Sequence, residues 1–362
     1  MTAPGGVWYG FNKVKRKGTG MFCIQTGDLP IDLTVNILIF IIGTAVLVKG
    51  SDLFIDAAAD IARLWGVSEL VIGLTLVSIG TSLPELASSV YAAFKGQADF
   101  IIGNIVGSNV TNISLILAIG IIGMGIMPFE RKMLTRDGVF MLLVYLICAG
   151  LFAVPLRTAA DATVRGIDFR GGIILLIFCA AYLYLLFRQK TVAAETDAPD
   201  AGKSTGGKAV GVKLLLLLLG VAMITAGSKG MVDPVVWGAQ QLGVSMLVIS
   251  STIVAFGTSV PELAVTIAGL VKHRHDIALG NIIGSNIFNI LLIFGVTSCI
   301  QPLTLDLRGA GSFNLAAMGV TGVLLILFMR VGKNTLKRRQ GIVLLLLYAL
   351  FMLYNCRAAI VG

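Results

Sequence analysis

Charged residues are scarce in this 362-residue chain: Asp, Glu, Lys and Arg make up 13% of it, against 56% hydrophobic residues. That balance excludes an ordinary soluble domain, in which about a quarter of the residues are charged. Histidine and cysteine are few as well. Cys23, Cys148, Cys179, Cys299 and Cys356 lack metal-ligand spacing, and all but Cys23 lie in or beside apolar segments, so no disulfide framework is expected. There is no Walker motif and no Cys/His cluster, and the Gly-x-Ser-x-Gly match at Gly202–Gly206 falls in a polar, linker-like stretch. ATP use and hydrolysis therefore have no residues to carry them, and neither an enzyme activity nor a cofactor is expected. The net charge of +9, from 28 basic and 19 acidic residues, reads as a loop excess of Lys and Arg and not as a nucleic-acid footprint. The stretch 1–33 is polar and basic, with no cleavable apolar core.

What the chain has is long apolar runs. Ten are predicted, near 34–55, 69–94, 101–127, 138–155, 172–187, 212–232, 246–271, 277–299, 313–331 and 341–361. Runs of about 20 apolar residues span a bilayer, and only helices and closed barrels satisfy their own backbone there. The predicted fold is an all-α polytopic membrane protein. Between the fifth and sixth runs, residues 189–211 hold Glu195, Asp197, Pro199 and Asp200 among Gly, Ser and Lys, the composition of a flexible linker. The predicted division is a tail (1–33), a first five-helix half (34–188), this linker, and a second half (212–362).

The halves repeat at one constant offset, which sets Glu85 against Glu262 and Asn112 against Asn289. Nine of 15 positions are identical between Thr75–Ser89 and Thr252–Thr266, and 8 of 14 between Asp99–Asn112 and Asp276–Asn289. The repeated motifs thus occupy 75–112 and 252–289 without a gap. A five-span unit ends on the opposite side from its start, so the second copy is expected to run inverted. Secondary transporters with this plan place the ion site at the repeat interface, near the bilayer midplane.

Loop charge gives an orientation. One set of loops carries Arg131, Lys132 and Arg136; Arg188, Lys190, Lys203, Lys208 and Lys213; Lys272 and Arg274; and Arg330, Lys333, Lys337, Arg338 and Arg339. The other carries chiefly Lys95, Arg157, Arg165, Arg170 and Arg308. The first set is expected on the cytoplasmic side, which puts linker 189–211 in the cytoplasm and both termini outside. Lys13, Lys15, Arg16 and Lys17 oppose this; either the loops outweigh them, or the native start is Met21.

Within each half, Gly80-Thr-Ser-Leu-Pro-Glu85 and Gly257-Thr-Ser-Val-Pro-Glu262 place a proline and a carboxylate inside an apolar run. Pro84 and Pro261 cannot donate a backbone hydrogen bond to Gly80 and Gly257, so the helix is expected to break there. Broken backbone at membrane depth is tolerated where it lines a cavity. Carbonyls, hydroxyls and a carboxylate are the oxygen ligands that hard cations prefer. Ser82-x-x-Glu85 and Ser259-x-x-Glu262 also fit the capping box, but a neutral Gln would cap without a charge that costs roughly 2.5–3.5 kcal/mol to insert. Ion ligation is the main expectation for the two Glu, with capping as a second role.

The second block is Gly103-Asn-Ile-Val-Gly107-Ser-Asn109-Val-Thr-Asn112, mirrored by Gly280-Asn-Ile-Ile-Gly284-Ser-Asn286-Ile-Phe-Asn289. Its glycines fit close helix packing. Ser108 and Asn112 share a helix face, as do Ser285 and Asn289, and these four are expected oxygen ligands. Asn109 and Asn286 are weaker candidates for the same role.

These paired blocks resemble the α-repeats of the calcium/cation antiporter superfamily, most closely its prokaryotic sodium/calcium exchangers. The resemblance implies ten transmembrane helices as two inverted five-helix repeats and an antiporter exchanging Na⁺ for Ca²⁺ by alternating access. The fold implied is that of a multi-pass protein of the inner or plasma membrane whose partners are the bilayer and the two ions; a monomer is compatible with it. It also implies that Glu85 and Glu262 bind Ca²⁺ with the carbonyls of Thr81 and Thr258. Ser82, Ser259, Ser108 and Ser285 would complete Na⁺ sites with the backbone of Ser78 and Ala255, and Asn112 and Asn289 would close the site. Position 289 is Asp in several relatives, including potassium-dependent ones; the Asn here argues against potassium co-transport. A proton could also replace the cations, which leaves an H⁺/Ca²⁺ antiporter open. From other classes, a cation channel remains because oxygen-lined sites also conduct, and an intramembrane enzyme lacks a nucleophile–base pair.

Two further groups are expected to be bland. Asp52, Asp56 and Asp60 read as a solvated helix end, and His273, His275 and Asp276 as a solvated loop.

Overall fold

The computed structural model describes residues 29–65, 67–96, 98–156, 165–188, 207–241, 255–305 and 310–361. Most of the predicted tail and linker, and the start of the predicted seventh run (246–254), lie outside the described residues. The described chain is helical almost throughout, and eight of its helices are long and apolar enough to cross a membrane. A ninth crossing forms if the bent pair Glu69–Thr81 and Leu83–Phe94 counts as one span.

In chain order the helices are α1 (Leu29–Trp65), α2 (Glu69–Thr81), α3 (Leu83–Phe94), α4 (Ala98–Met124), α5 (Met133–Ala153) and α6 (Phe169–Arg188). The second half follows with α7 (Gly207–Gln241), α8 (Ala255–Thr258), α9 (Val260–Val271), α10 (His275–Ile300), α11 (Ala310–Val331) and α12 (Arg338–Val361). Helix α1 starts inside the predicted tail and α7 inside the predicted linker, because polar residues suffice for a helix end that projects beyond apolar surroundings. The 37 residues of α1 make a rod of about 55 Å.

Burial sorts the helices into two kinds. The central windows of α4 and α10 are 83% and 94% buried, whereas the other long helices bury 17–39% of theirs. Leu146, Leu218 and Leu353 on those outer helices stand exposed, as residues facing lipid do. The two buried helices carry the second motif block.

Helices α1 and α7 lie against each other along much of their length. Glycine permits the approach: a β-carbon on Gly227 would sit 2.5 Å from the backbone N of Leu47, and one on Gly220 would sit 2.8 Å from Phe54 Cβ. The acidic residues near the end of α1 are more than a solvated helix end. Lys272 pairs with Asp56 at 2.8 Å and Asp52 at 3.5 Å, Lys213 pairs with Asp60 at 2.6 Å, and Arg274 pairs with Glu69. These partly exposed pairs tie the end of α1 and the start of α2 to the second half. Lys272→Met is expected to lower stability by only about 0.5–1 kcal/mol, read as a small shift of Tm in detergent.

Four three-residue strands depart from the all-α expectation. Ile126–Pro128 pairs antiparallel with Thr335–Lys337, and Arg165–Ile167 with Leu303–Leu305. Each pair joins one half to the other, and Leu303 is the repeat equivalent of Ile126. Strands this short leave no period-2 pattern to register in sequence.

Candidate cation site

The bend between α2 and α3 is 46°. Pro84 stands in the first turn of α3, and Glu85 follows it there. In the second half Ser259 precedes α9, with Pro261 and Glu262 in its first turn. Each carboxylate thus sits where a half-helix N-terminus favours negative charge. Both Glu side chains are fully buried, at 0% and 1% exposure. Among the described residues, no ion pair includes either of them.

The capping-box role is not realised. Ser82 and Ser259 flank their helices with ψ of 5° and 3° and make no side-chain cap. Backbone bonds continue across the bend instead, from Ser82 N to the Ser78 carbonyl and from Leu86 N to the Ser82 carbonyl. The hydroxyls are free to turn away, and they turn towards the opposite half.

The contacts they make there are reciprocal under the repeat offset. Ser82 Oγ lies 3.2 Å from Ser285 Oγ, and Ser259 Oγ lies 3.2 Å from Ser108 Oγ. Thr81 Oγ1 donates to Asn281 Oδ1 at 3.0 Å, and Thr258 Oγ1 to Asn104 Oδ1 at 3.1 Å. The two motifs of one half therefore meet the complementary motifs of the other. The bonds to the carboxylates are not reciprocal: Ser82 Oγ donates to Glu262 Oε1 at 3.0 Å, whereas both oxygens of Glu85 go without a donor.

Around this ring, further buried polar atoms go unused. Glu262 Oε2, Asn289 Oδ1, Ser89 Oγ, Asn104 Nδ2 and both amide atoms of Asn112 join the Glu85 oxygens in making no hydrogen bond. Unpaired buried polar atoms cost about 1–3 kcal/mol each, so their concentration at one place calls for a ligand. The set is rich in oxygen, doubly acidic and without a basic side chain, which suits a hard cation.

All twelve predicted ligands except Ala255 can be placed side chain by side chain; for Ala255 only the backbone is described. The Ser78 carbonyl accepts from Ser82 N and from Thr81 Oγ1 at 3.2 Å. The single Thr81 proton is shared with Asn281 Oδ1, the nearer acceptor, so one lone pair of this carbonyl stays open to a cation. Asn109 and Asn286 bond within the protein and are supports, not free oxygens. Asn104 and Asn281, which hold the threonines, were not predicted. They were legible: 104, 108 and 112, like 281, 285 and 289, fall at every fourth position on one helix face. Tyr145 and Thr266, which bond Asn286 and Asn281, had no comparable signal. A further unpredicted feature is π-helix beginning at Asn112 and at Asn289, the kind of local unwinding often found at functional sites.

His273 and His275 stack edge to face, and the described residues contain no group of three His, Cys, Asp or Glu able to hold a metal.

Known proteins match this chain along most of its length. Residues 35–188 and 212–357 match the family described as sodium/calcium exchanger protein. The sodium/calcium exchanger MaX1 of Methanosarcina acetivorans is 36% identical over 349 residues, covering 88% of this chain and 98% of its own. The putative antiporter CaxA of Alkalimonas amylolytica is 34% identical, with 87% and 97% covered. A solved structure of the sodium-calcium exchanger NCX_Mj, soaked with 10 mM Na⁺ and zero Ca²⁺, superposes with a TM-score of 0.74 at 30% identity, over 88% of this chain and 98% of that one.

Proposed function

The chain belongs to the sodium/calcium exchanger family, and from that premise we propose that it exports Ca²⁺ in exchange for Na⁺ by alternating access. The observation that carries this reading is the ring of unpaired buried oxygens centred on Glu85 and Glu262. Two ionised carboxylates neutralise one Ca²⁺, and Ca²⁺ takes about six to eight oxygens. The carboxylates with the carbonyls of Thr81 and Thr258 supply most of that number. Na⁺ needs less charge per site and more neutral oxygen, which Ser82, Ser259, Ser108 and Ser285 provide. Asn112 and Asn289 close the set without adding charge. The backbone of Ser78 and Ala255 completes the Na⁺ positions.

The reciprocal Ser–Ser and Thr–Asn contacts support two inverted halves of five spans, ten in all. Helices α1 and α7, the first of each half, slide together against the rest and open the site to alternate sides. Loop charge supports a cytoplasmic linker and extracytoplasmic termini in the inner or plasma membrane.

The coupling ion is tested in proteoliposomes loaded with Ca²⁺ and given a Na⁺ gradient alone, then a pH gradient alone. Ca²⁺ movement is expected under the first and not the second. Movement under the pH gradient alone would instead make this an H⁺/Ca²⁺ antiporter. Flux that needs no counter-ion and does not saturate would make it a channel.

A further inference from the structure

Asn112 and Asn289 are equivalent under the repeat offset, yet they are held differently. Both amide atoms of Asn112 are buried without a hydrogen bond. Asn289 Nδ2 donates to Asn109 Oδ1 at 2.9 Å, and only its Oδ1 lacks a partner. Asn109 cannot turn over. Its Nδ2 donates to the Asn286 carbonyl at 3.2 Å and lies 3.6 Å from Met318 Sδ. A flip would set amide against amide at Asn289 and carbonyl against carbonyl at Asn286.

Asn286 is fixed in turn. Its Nδ2 donates to the Ile282 carbonyl at 2.7 Å, and Tyr145 Oη donates to its Oδ1 at 2.6 Å. Here the two-fold likeness of the halves breaks down. The counterpart of Tyr145 in the second half is Gly322, and a β-carbon there would lie 2.8 Å from the Tyr145 ring. One half supplies a tyrosine and the other makes room for it. Only one of the two asparagine ligands is therefore anchored.

We propose that Asn109 is a positioning residue for the cation site: with its own amide fixed by the backbone carbonyl of Asn286, it keeps the amide of Asn289 turned with its oxygen inward. An asparagine can present either an oxygen or an NH₂ to a cation, and the second repels it. The two bonds at Asn109 select the oxygen in advance, so the second half of the site is preset, while Asn112 adapts because Tyr145 occupies the Asn286 Oδ1 that would be its equivalent anchor. Groups that orient metal ligands commonly contribute about 10–100-fold in affinity. The proposal rests on the Ca²⁺ reading above and adds a residue to it.

The test is a double-mutant cycle on Ca²⁺ uptake into proteoliposomes, with reconstituted amounts matched. Asn109→Leu removes the acceptor and frees the Asn289 amide to rotate; KM for Ca²⁺ is expected to rise about tenfold, with a smaller change in maximal rate. A carboxylate presents oxygen whichever way it turns. In an Asn289→Asp background, Asn109→Leu is therefore expected to change KM by no more than about twofold, since the coupling between the sites is then lost. Asn109→Ala removes the same acceptor without adding bulk, and its KM rise should vanish in the same background. Equal penalties in both backgrounds would assign the effect to packing and overturn the proposal, as would no penalty in either. Failure of the Ca²⁺ reading looks different: the wild-type protein itself then takes up no Ca²⁺.

Discussion

Glu85→Gln and Glu262→Gln are each expected to abolish Ca²⁺ uptake into everted vesicles, with the protein still present at wild-type level. Glutamine keeps the size of the side chain and one oxygen, so packing is preserved. It removes a full negative charge and turns an NH₂ group towards the ion. With Asn at both 112 and 289, no other carboxylate belongs to the predicted ligand set. The remaining charge of −1 cannot neutralise a divalent ion. Breaking a buried charge pair costs about 3–5 kcal/mol, which is roughly a 10²–10⁴-fold loss in affinity. The two substitutions should differ in what they leave behind. At Glu262 the substitution weakens the charge-assisted bond from Ser82 to a neutral one, whereas Glu85 has no donor to lose. Glu85→Gln should therefore be the more stable of the two in thermal unfolding without Ca²⁺. Uptake at the wild-type rate by either variant would remove the two carboxylates from the transport site.

Much of this site is legible in the sequence because the chemistry is costly where it occurs. A proline and a carboxylate inside an apolar run need a reason, and their recurrence at Pro84–Glu85 and Pro261–Glu262 supplies one. The bend at Pro84 follows from a missing N–H, and it appears where that rule puts it. The direction taken by Ser82 does not follow. Capping pattern and ligand pattern share the same spacing, and only the arrival of Ser285 and Glu262 from the other half decides between them. Tyr145 is harder still. Its role depends on Gly322 in the other half and on a helix outside the motif blocks. The short strands and π-turns are equally invisible to pattern, since each is brief and is set by its neighbours.

Gly284→Val is expected to eliminate transport and to lower Tm in detergent well beyond any surface substitution. A β-carbon at Gly284 would lie 2.5 Å from Ser78 Oγ, 2.8 Å from Ser78 Cβ and 2.9 Å from the Leu74 carbonyl. One turn earlier, a β-carbon at Gly280 would meet the Leu74 N at 3.0 Å and the Gly73 backbone at 3.1 Å. The Leu74 and Gly73 contacts are to backbone, which cannot swing aside. The helix itself has nowhere to retreat, because α10 is buried along nearly all of its length. Overpacking in such a core costs about 1–3 kcal/mol and occasionally more, and the branched side chain here meets three obstacles at once. The glycine is therefore what brings Ser285, its neighbour, within reach of Ser82. Gly284→Ala should show the same defect in milder form, and adding Ser78→Gly should relieve it in part by deleting two of the three clashes. The Leu74 carbonyl would remain, so recovery should be incomplete. Gly123, whose β-carbon would meet nothing within 4 Å, is the control position, and Gly123→Ala should keep both Tm and uptake. Undiminished uptake and an unshifted Tm in Gly284→Val would mean that α10 and α2 do not pack as closely as this glycine requires, and with them the whole reciprocal geometry of the site would fall.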